Sequence, residues 1–145
     1  MNDLFTWIDK IREKKVFRLF YWLARISMGF TFIVSGVRKL PGVRFTALPE
    51  SNPVGDYFEA MYETGFYWNS IGVIQIVLGL LIFSNRTVVL SSLLMMPVTI
   101  NIFLISVALQ MRGTPLISFM MVMANLFLLL WHFENYRPIL SKPKH

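Results

Sequence analysis

An apolar stretch over residues 17–39, FRLFYWLARISMGFTFIVSGVRK, constrains the fold more than any other part of the sequence. A helix needs about 20 residues to cross the hydrocarbon core of a bilayer, and this stretch is long enough. Arg25 lies inside it and Lys39 ends it. The sequence therefore predicts a membrane-spanning helix that carries a cation within its apolar length.

Residues within this stretch recur at helical spacing, in steps of four, three, four and three. They are Arg25, Gly29, Phe32, Gly36 and Lys39. Such spacing places them on one face of a helix. Because small residues let helices approach closely in lipid, we predict that Gly29 and Gly36 form a packing seam between the two cations.

Composition indicates several helices of this kind. Hydrophobic residues make up 55% of the chain and charged residues only 15%. Apolar runs cover residues 17–39, 66–83, 88–109 and 116–133. Short connections between the later runs make neighbouring helices antiparallel. We predict an all-α fold, with a four-transmembrane-helix antiparallel bundle over residues 17–133.

The segments outside the runs are polar or basic. Within the connection 40–65, Asn52-Pro53 begins and Gly65 ends a stretch that predicts a short interfacial helix over one end of the bundle. Residues 1–16 predict an amphipathic helix on the lipid headgroups or, alternatively, a frayed tail. Residues 134–145 form a short basic tail.

The formal net charge of +6 lies mostly at the ends of the apolar runs. Membrane phospholipid, and not nucleic acid, is therefore the expected counter-charge. Lys and Arg are more numerous beside the two termini than in the connection on the other side. This bias predicts a multi-pass protein of the inner membrane whose N- and C-termini are cytoplasmic.

The second run repeats the pattern of small and polar residues. Gly72 and Gly79 lie on one face with Gln75 between them, so the first two spans are predicted to be the closest pair. Asn101 and Asn125 are amides on the third and fourth spans. With Gln75 they are expected either to form interhelical hydrogen bonds or to converge on a pocket for the carbonyl oxygens of a ring ligand.

The two cations of the first span each have two interpretations. Arg25 either snorkels and hydrogen-bonds internally, or receives an anionic or quinone-like ligand or the carboxylate of a partner. Lys39 is either an ordinary interfacial cation or a side chain that turns into the outer mouth of the bundle and receives an anion or carbonyl. His132 is interpreted as a headgroup-level aromatic or, alternatively, as a catalytic base.

Several residue types that catalysis and metal binding need are missing. The chain has no cysteine and, between residues 64 and 133, no Asp or Glu. With two histidines in the chain, neither a metal site nor bis-histidine haem ligation is expected. No nucleophile–base pair stands out, so the catalytic residues are unknown and a self-sufficient enzyme is not favoured.

The motif Arg25-x-x-x-Gly29-x-x-Phe32-x-x-x-Gly36-x-x-Lys39, together with Gly72-x-x-Gln75-x-x-x-Gly79 and the Arg86 that follows it, resembles the DoxX-like membrane proteins. The resemblance covers residues 18–133, including the polar connection 40–65 and Asn101. It implies four membrane helices and, by analogy with some relatives, a membrane subunit of a quinone-dependent oxidoreductase. Many members carry Glu where this chain has Gln75, and an amide neither takes up nor releases a proton at neutral pH, which puts proton-coupled quinone chemistry in doubt.

Two functions of different classes follow. The first is an accessory subunit that docks a membrane redox partner or a quinone, with no covalently bound cofactor. The second is a non-catalytic assembly or interaction protein for another membrane protein. A transporter is a weaker third option because no internal repeat is detectable. Whether the chain forms a homo-oligomer stays open.

Overall fold

The computed structural model describes residues 12–136, and these residues contain helices and no strand. Between residues 15 and 131, five α-helices follow one another: α1 (Lys15–Val37), α2 (Pro53–Glu63), α3 (Phe66–Leu81), α4 (Val88–Ala108) and α5 (Thr114–Trp131). A short 3₁₀-helix, Phe133–Tyr136, ends the described chain. Most of the predicted N-terminal amphipathic helix and of the basic tail lies outside the described residues.

Three helices, α1, α4 and α5, are long and apolar enough to cross a membrane. The helices α2 and α3 form a pair, bent by 95° at a short break, that passes the same test if it is counted as one span. The described chain therefore has three candidate spans, or four with the bent pair. Both ends of each predicted span lie within two residues of the ends of α1, α3, α4 or α5, respectively.

The outward surface of these helices is apolar, and much of the interior is polar. Large hydrophobic side chains such as Phe30, Leu104 and Leu116 are more than half exposed. Small polar side chains are almost completely buried: Ser91, Ser92, Thr99, Ser106 and Ser118. This distribution is typical of helices that face lipid and hydrogen-bond to one another inside.

Helices α1 and α3 pack against each other through glycines. A Cβ atom placed on Gly36 would lie 2.6 Å from the backbone oxygen of Gly72, and one on Gly79 would lie 2.8 Å from that of Gly29. Since the obstacles are backbone atoms, no side-chain movement could make room. The seam predicted from the sequence is thus the contact surface of these helices, which make the most extensive contact in the structure.

Helices α4 and α5 form a second closely packed pair. The hydroxyl groups of Ser106 and Ser118 hydrogen-bond across it at 2.9 Å, and Asn125 Nδ2 lies 3.5 Å from Thr99 Oγ1. Pro97 lies inside α4, which continues through it; the kink predicted there stays a prediction. The two pairs contact each other less extensively, through α1 with α5 and α3 with α4.

The connection between α1 and α3 contains α2 and folds back towards these helices. We call this connection the cap. The side chain of Asn52 accepts a hydrogen bond from the Val54 amide and Pro53 occupies the first turn, so α2 begins where the Asn-Pro signal places it. Gly65 has a φ of 57°, a conformation that glycine adopts without strain. The chain uses it to turn sharply from α2 into α3.

Candidate functional site

A cavity of about 740 Å³ lies among the cap, α1, α3 and α4. We call it the Lys39 cavity. Five aromatic side chains line it: Phe45, Tyr57, Phe58, Tyr67 and Trp68. Polar side chains also line it: Ser35, Lys39, Gln75, Asn101, Ser106 and Thr114. Its volume lies in the range of small-molecule sites, which are mostly apolar with a few placed polar groups.

Lys39 is the charged group of this cavity. It lies two residues beyond the end of α1, and only 6% of it is exposed. Its ammonium donates hydrogen bonds to Ser35 Oγ at 2.8 Å and to the Ser35 carbonyl at 3.1 Å. The nitrogen also lies 4.6 Å from the ring centre of Phe45 and 5.2 Å from that of Trp68. Aromatic faces attract a cation, so Lys39 is held in place by neutral groups.

Burial lowers the pKa of Lys39 from its ordinary value of 10.5 to about 8, because the ammonium loses hydration. No carboxylate pairs with it within residues 12–136, where Glu59 of the cap is paired with Arg44 at 3.1 Å. The sequences of α1, α3, α4 and α5 contain no acidic residue. These four helices therefore supply no carboxylate to compensate the charge of Lys39.

Two further residues of the lining carry side-chain donors that have no acceptor in the described part of the chain. They are Gln75 Nε2 and the indole Nε1 of Trp68, both buried. The hydroxyl of Ser35 donates to Gln75 Oε1 at 3.4 Å. Since Ser35 Oγ already accepts a proton from Lys39, its own proton is free for Gln75, and the amide nitrogen is left without a partner. A buried donor left unpaired costs about 1–3 kcal/mol.

Arg25 belongs to α1, and its guanidinium lies outside the Lys39 cavity, at the C-terminal end of α3. It is 1% exposed and donates to the carbonyls of Ile82 at 2.6 Å and Phe83 at 2.7 Å, and to Asn85 Oδ1 at 2.7 Å. The last carbonyls of a helix have no partner within it, and a cation there is favourable. Arg25 is thus hydrogen-bonded internally, as one of its two interpretations has it.

The network continues to the end of α5. Arg25 Nη1 donates to Tyr21 Oη at 3.1 Å, and Tyr21 Oη lies 3.0 Å from His132 Nε2. Either Tyr21 or His132 can donate in this hydrogen bond, depending on the imidazole tautomer. Burial, then the charges of Arg12 and Arg25, lower the pKa of His132. This network joins α1, α5 and the turn after α3.

The site residues predicted from the sequence lie at three different places in the structure. Lys39, Gln75 and Asn101 line the same cavity, and Asn101 is exposed there. Arg25 is in the network just described, and Asn125 is buried between α4 and α5. The ligand roles predicted for these five residues stay predictions.

Sequence reasoning missed two groups around Lys39. Ser35 lies four residues before it, so helical spacing could have found this partner. Trp68 lies in the first turn of α3, and no local signal tells which aromatic ring reaches a cation outside its own helix. The described residues contain no cluster of three or more His, Cys, Asp or Glu side chains that could hold a metal ion.

Comparison with known proteins gives one match. No curated protein and no solved structure matches the chain. The family model described as DoxX matches residues 20–108, which extend from α1 to the end of α4 and include all of the glycine seam and most of the Lys39 cavity. Together with the apolar helices, this match shows that the chain is a membrane protein of the DoxX family.

Proposed function

We propose that this chain is an accessory membrane subunit that binds a quinone-like ligand in the Lys39 cavity and docks a membrane redox partner. The observation that carries the proposal is that residues lining a mostly apolar cavity carry buried N–H donors without acceptors in the described chain. A quinone ring offers two carbonyl acceptors on a flat apolar body. Such a ring fits the volume, the aromatic walls and the unpaired donors of Gln75 and Trp68.

The proposal includes a topology. With α3 as the second span, the helices form a four-helix antiparallel bundle in the inner membrane, with cytoplasmic termini and the cap α2 on the opposite side. The support is the distribution of Lys and Arg along the chain. Since the chain has no cysteine, single cysteines at Thr46 and Ser84 can be labelled without background. An impermeant maleimide should reach them from opposite sides of the membrane, and labelling of both from one side contradicts this topology.

Ligand binding is tested by thermal unfolding of the purified full chain in detergent. Saturating 2-methyl-1,4-naphthoquinone should raise the midpoint, because a ligand that binds only the folded state stabilises it. Gln75→Leu should reduce the shift, because it removes the amide donor at similar volume. Trp68→Phe should do the same while it keeps an aromatic wall. Gln110→Leu, an exposed position outside the cavity lining, is the control.

A quinone that produces no shift at saturation would refute this function. The same would be true if Gln75→Leu and Gln110→Leu behaved alike.

The partner is tested separately. Photo-crosslinking from exposed cap positions such as Ala60 in native membranes should trap a defined membrane protein. An oxidoreductase subunit supports the redox role. A membrane protein without redox cofactors favours the alternative function, a non-catalytic assembly or interaction protein. Recovery of lipid or of the chain itself contradicts both.

A further inference from the structure

The Lys39 cavity holds a positive charge, and no carboxylate of residues 12–136 forms an ion pair with it. The ammonium is almost fully buried, its hydrogen-bond partners on Ser35 are neutral, and its other neighbours are the rings of Phe45 and Trp68. The remaining titratable side chains of the lining are the phenols of Tyr57 and Tyr67, which carry no negative charge in their neutral form. An ammonium in such surroundings attracts an anion strongly because the effective dielectric constant is low.

The hydrogen-bonding groups nearby favour the same kind of ligand. Gln75 Nε2 and Trp68 Nε1 are donors without acceptors in the described chain, and an ionised oxygen accepts hydrogen bonds about twice as strongly as a neutral one. Two of the three ammonium protons of Lys39 are used by Ser35, so one remains for a ligand. The lining therefore offers a charge and several donors to an oxygen anion.

The rest of the lining is suited to an apolar body. Ile71, Val98, Ile102 and Ile105 also line the cavity. A small inorganic anion would leave this surface without contact. An amphiphile, with an ionised head and a hydrocarbon or ring body, would cover it.

We infer that the natural ligand of the Lys39 cavity is an amphiphile whose head is an oxygen anion, either an ionised ring oxygen or a carboxylate. This inference rests on the cavity being a ligand site, as in the proposed function, and it adds that the charge state of the head decides affinity. Lys39 supplies the charge, Gln75 and Trp68 supply neutral donors, and the aliphatic walls hold the body.

Matched pairs of ligands test this inference on the purified full chain in detergent at neutral pH. In the first pair, 2-hydroxy-1,4-naphthoquinone is ionised and 2-methyl-1,4-naphthoquinone is neutral. In the second, dodecanoate is ionised and 1-dodecanol is neutral. The dissociation constants are measured by titration calorimetry. We expect the ionised member of at least one pair to bind about tenfold or more tightly than its neutral partner.

Variants of Lys39 and Gln75 assign the preference to residues. Lys39→Met should remove it, because the cavity then holds no cation. Gln75→Glu should also remove it, because the new carboxylate supplies the missing counter-charge through Ser35. Gln75→Leu should weaken both members of a pair while it keeps the preference. Arg38→Met, which removes an exposed cation next to Lys39, is the control and should leave the preference unchanged.

The outcomes separate this inference from the proposed function. Equal affinity for the two members of both pairs overturns the inference and leaves quinone binding standing. Tight binding of dodecanoate with no binding of either quinone supports the inference and overturns the quinone proposal. A preference that survives Lys39→Met, or binding of no ligand at all, overturns the inference.

Discussion

Replacing Lys39 with methionine is expected to make the ligand-free protein more stable. Burial lowers the pKa of Lys39 from 10.5 to about 8, and each unit of such a shift corresponds to about 1.4 kcal/mol. At neutral pH the charged side chain thus costs the folded state about 3 kcal/mol. Methionine fills similar space without a charge, and buried ions replaced by apolar residues often stabilise a protein.

Part of this gain is offset. The ammonium donates two hydrogen bonds to Ser35, and their loss costs about 1 kcal/mol. The net gain in the free energy of unfolding should be about 2 kcal/mol at pH 7. We expect the same variant to lose its preference for anionic ligands, so that stability rises while binding falls.

The pH dependence gives the prediction a distinct signature. Between pH 8 and 10.5 the unfolded state still binds the Lys39 proton and the folded state does not, so the stability of the unchanged protein rises with pH in this window. The advantage of Lys39→Met should therefore shrink above pH 8 by about 1.4 kcal/mol per pH unit and vanish near pH 9.5. Thermal unfolding in detergent, followed by circular dichroism, measures it. A variant that is less stable than the unchanged protein at pH 7 would refute the reasoning, because Lys39 would then be a structural residue.

Three further predictions concern the scaffold. Arg25→Ala should lower stability by about 3 kcal/mol or more, because its guanidinium leaves buried carbonyls at the end of α3 without donors; a loss below about 1 kcal/mol in thermal unfolding would contradict this. Gly36→Leu should separate α1 from α3 and destabilise the fold, because even its Cβ meets the Gly72 oxygen at 2.6 Å. The control Ser27→Leu, on the exposed face of α1, should be tolerated. Similar thermal unfolding midpoints for the two variants would count against the glycine seam. The lowered pKa of His132 means that the unfolded state takes up its proton first, so stability should fall as pH drops below about 6.5; His132→Gln keeps an acceptor and should flatten this fall, and an unchanged pH profile would exclude His132 as its cause.

Much of the scaffold follows from the sequence. The face of α1 that carries Arg25, Gly29, Phe32 and Gly36 is buried, as its spacing predicts. Gly72 and Gly79 are buried opposite it on α3. These predictions succeed because helical periodicity and the small size of glycine are local properties, so neither depends on knowing where the other helices lie.

The site follows only in part. Lys39 and Gln75 were candidates by residue type, but their common cavity depends on the turn at Gly65, which places α2 and α3 at 95° to each other. The acceptors of Arg25 are more than 50 residues away along the chain. Periodicity identifies the face on which an arginine lies but not which carbonyls it reaches, and this is why its two interpretations could not be separated from the sequence.

The central claim is that the unpaired donors of the residues around the Lys39 cavity hydrogen-bond to an acceptor on a ligand. NMR tests this claim directly. The chain contains four tryptophans, so the indole N–H signals of the ¹⁵N-labelled protein in detergent micelles can be assigned by single substitutions. On titration with 2-hydroxy-1,4-naphthoquinone, the Trp68 indole signal should move downfield as it gains an acceptor, and the signal of Trp22, exposed on α1, should stay in place. A Trp68 signal that does not move at saturation would contradict the account.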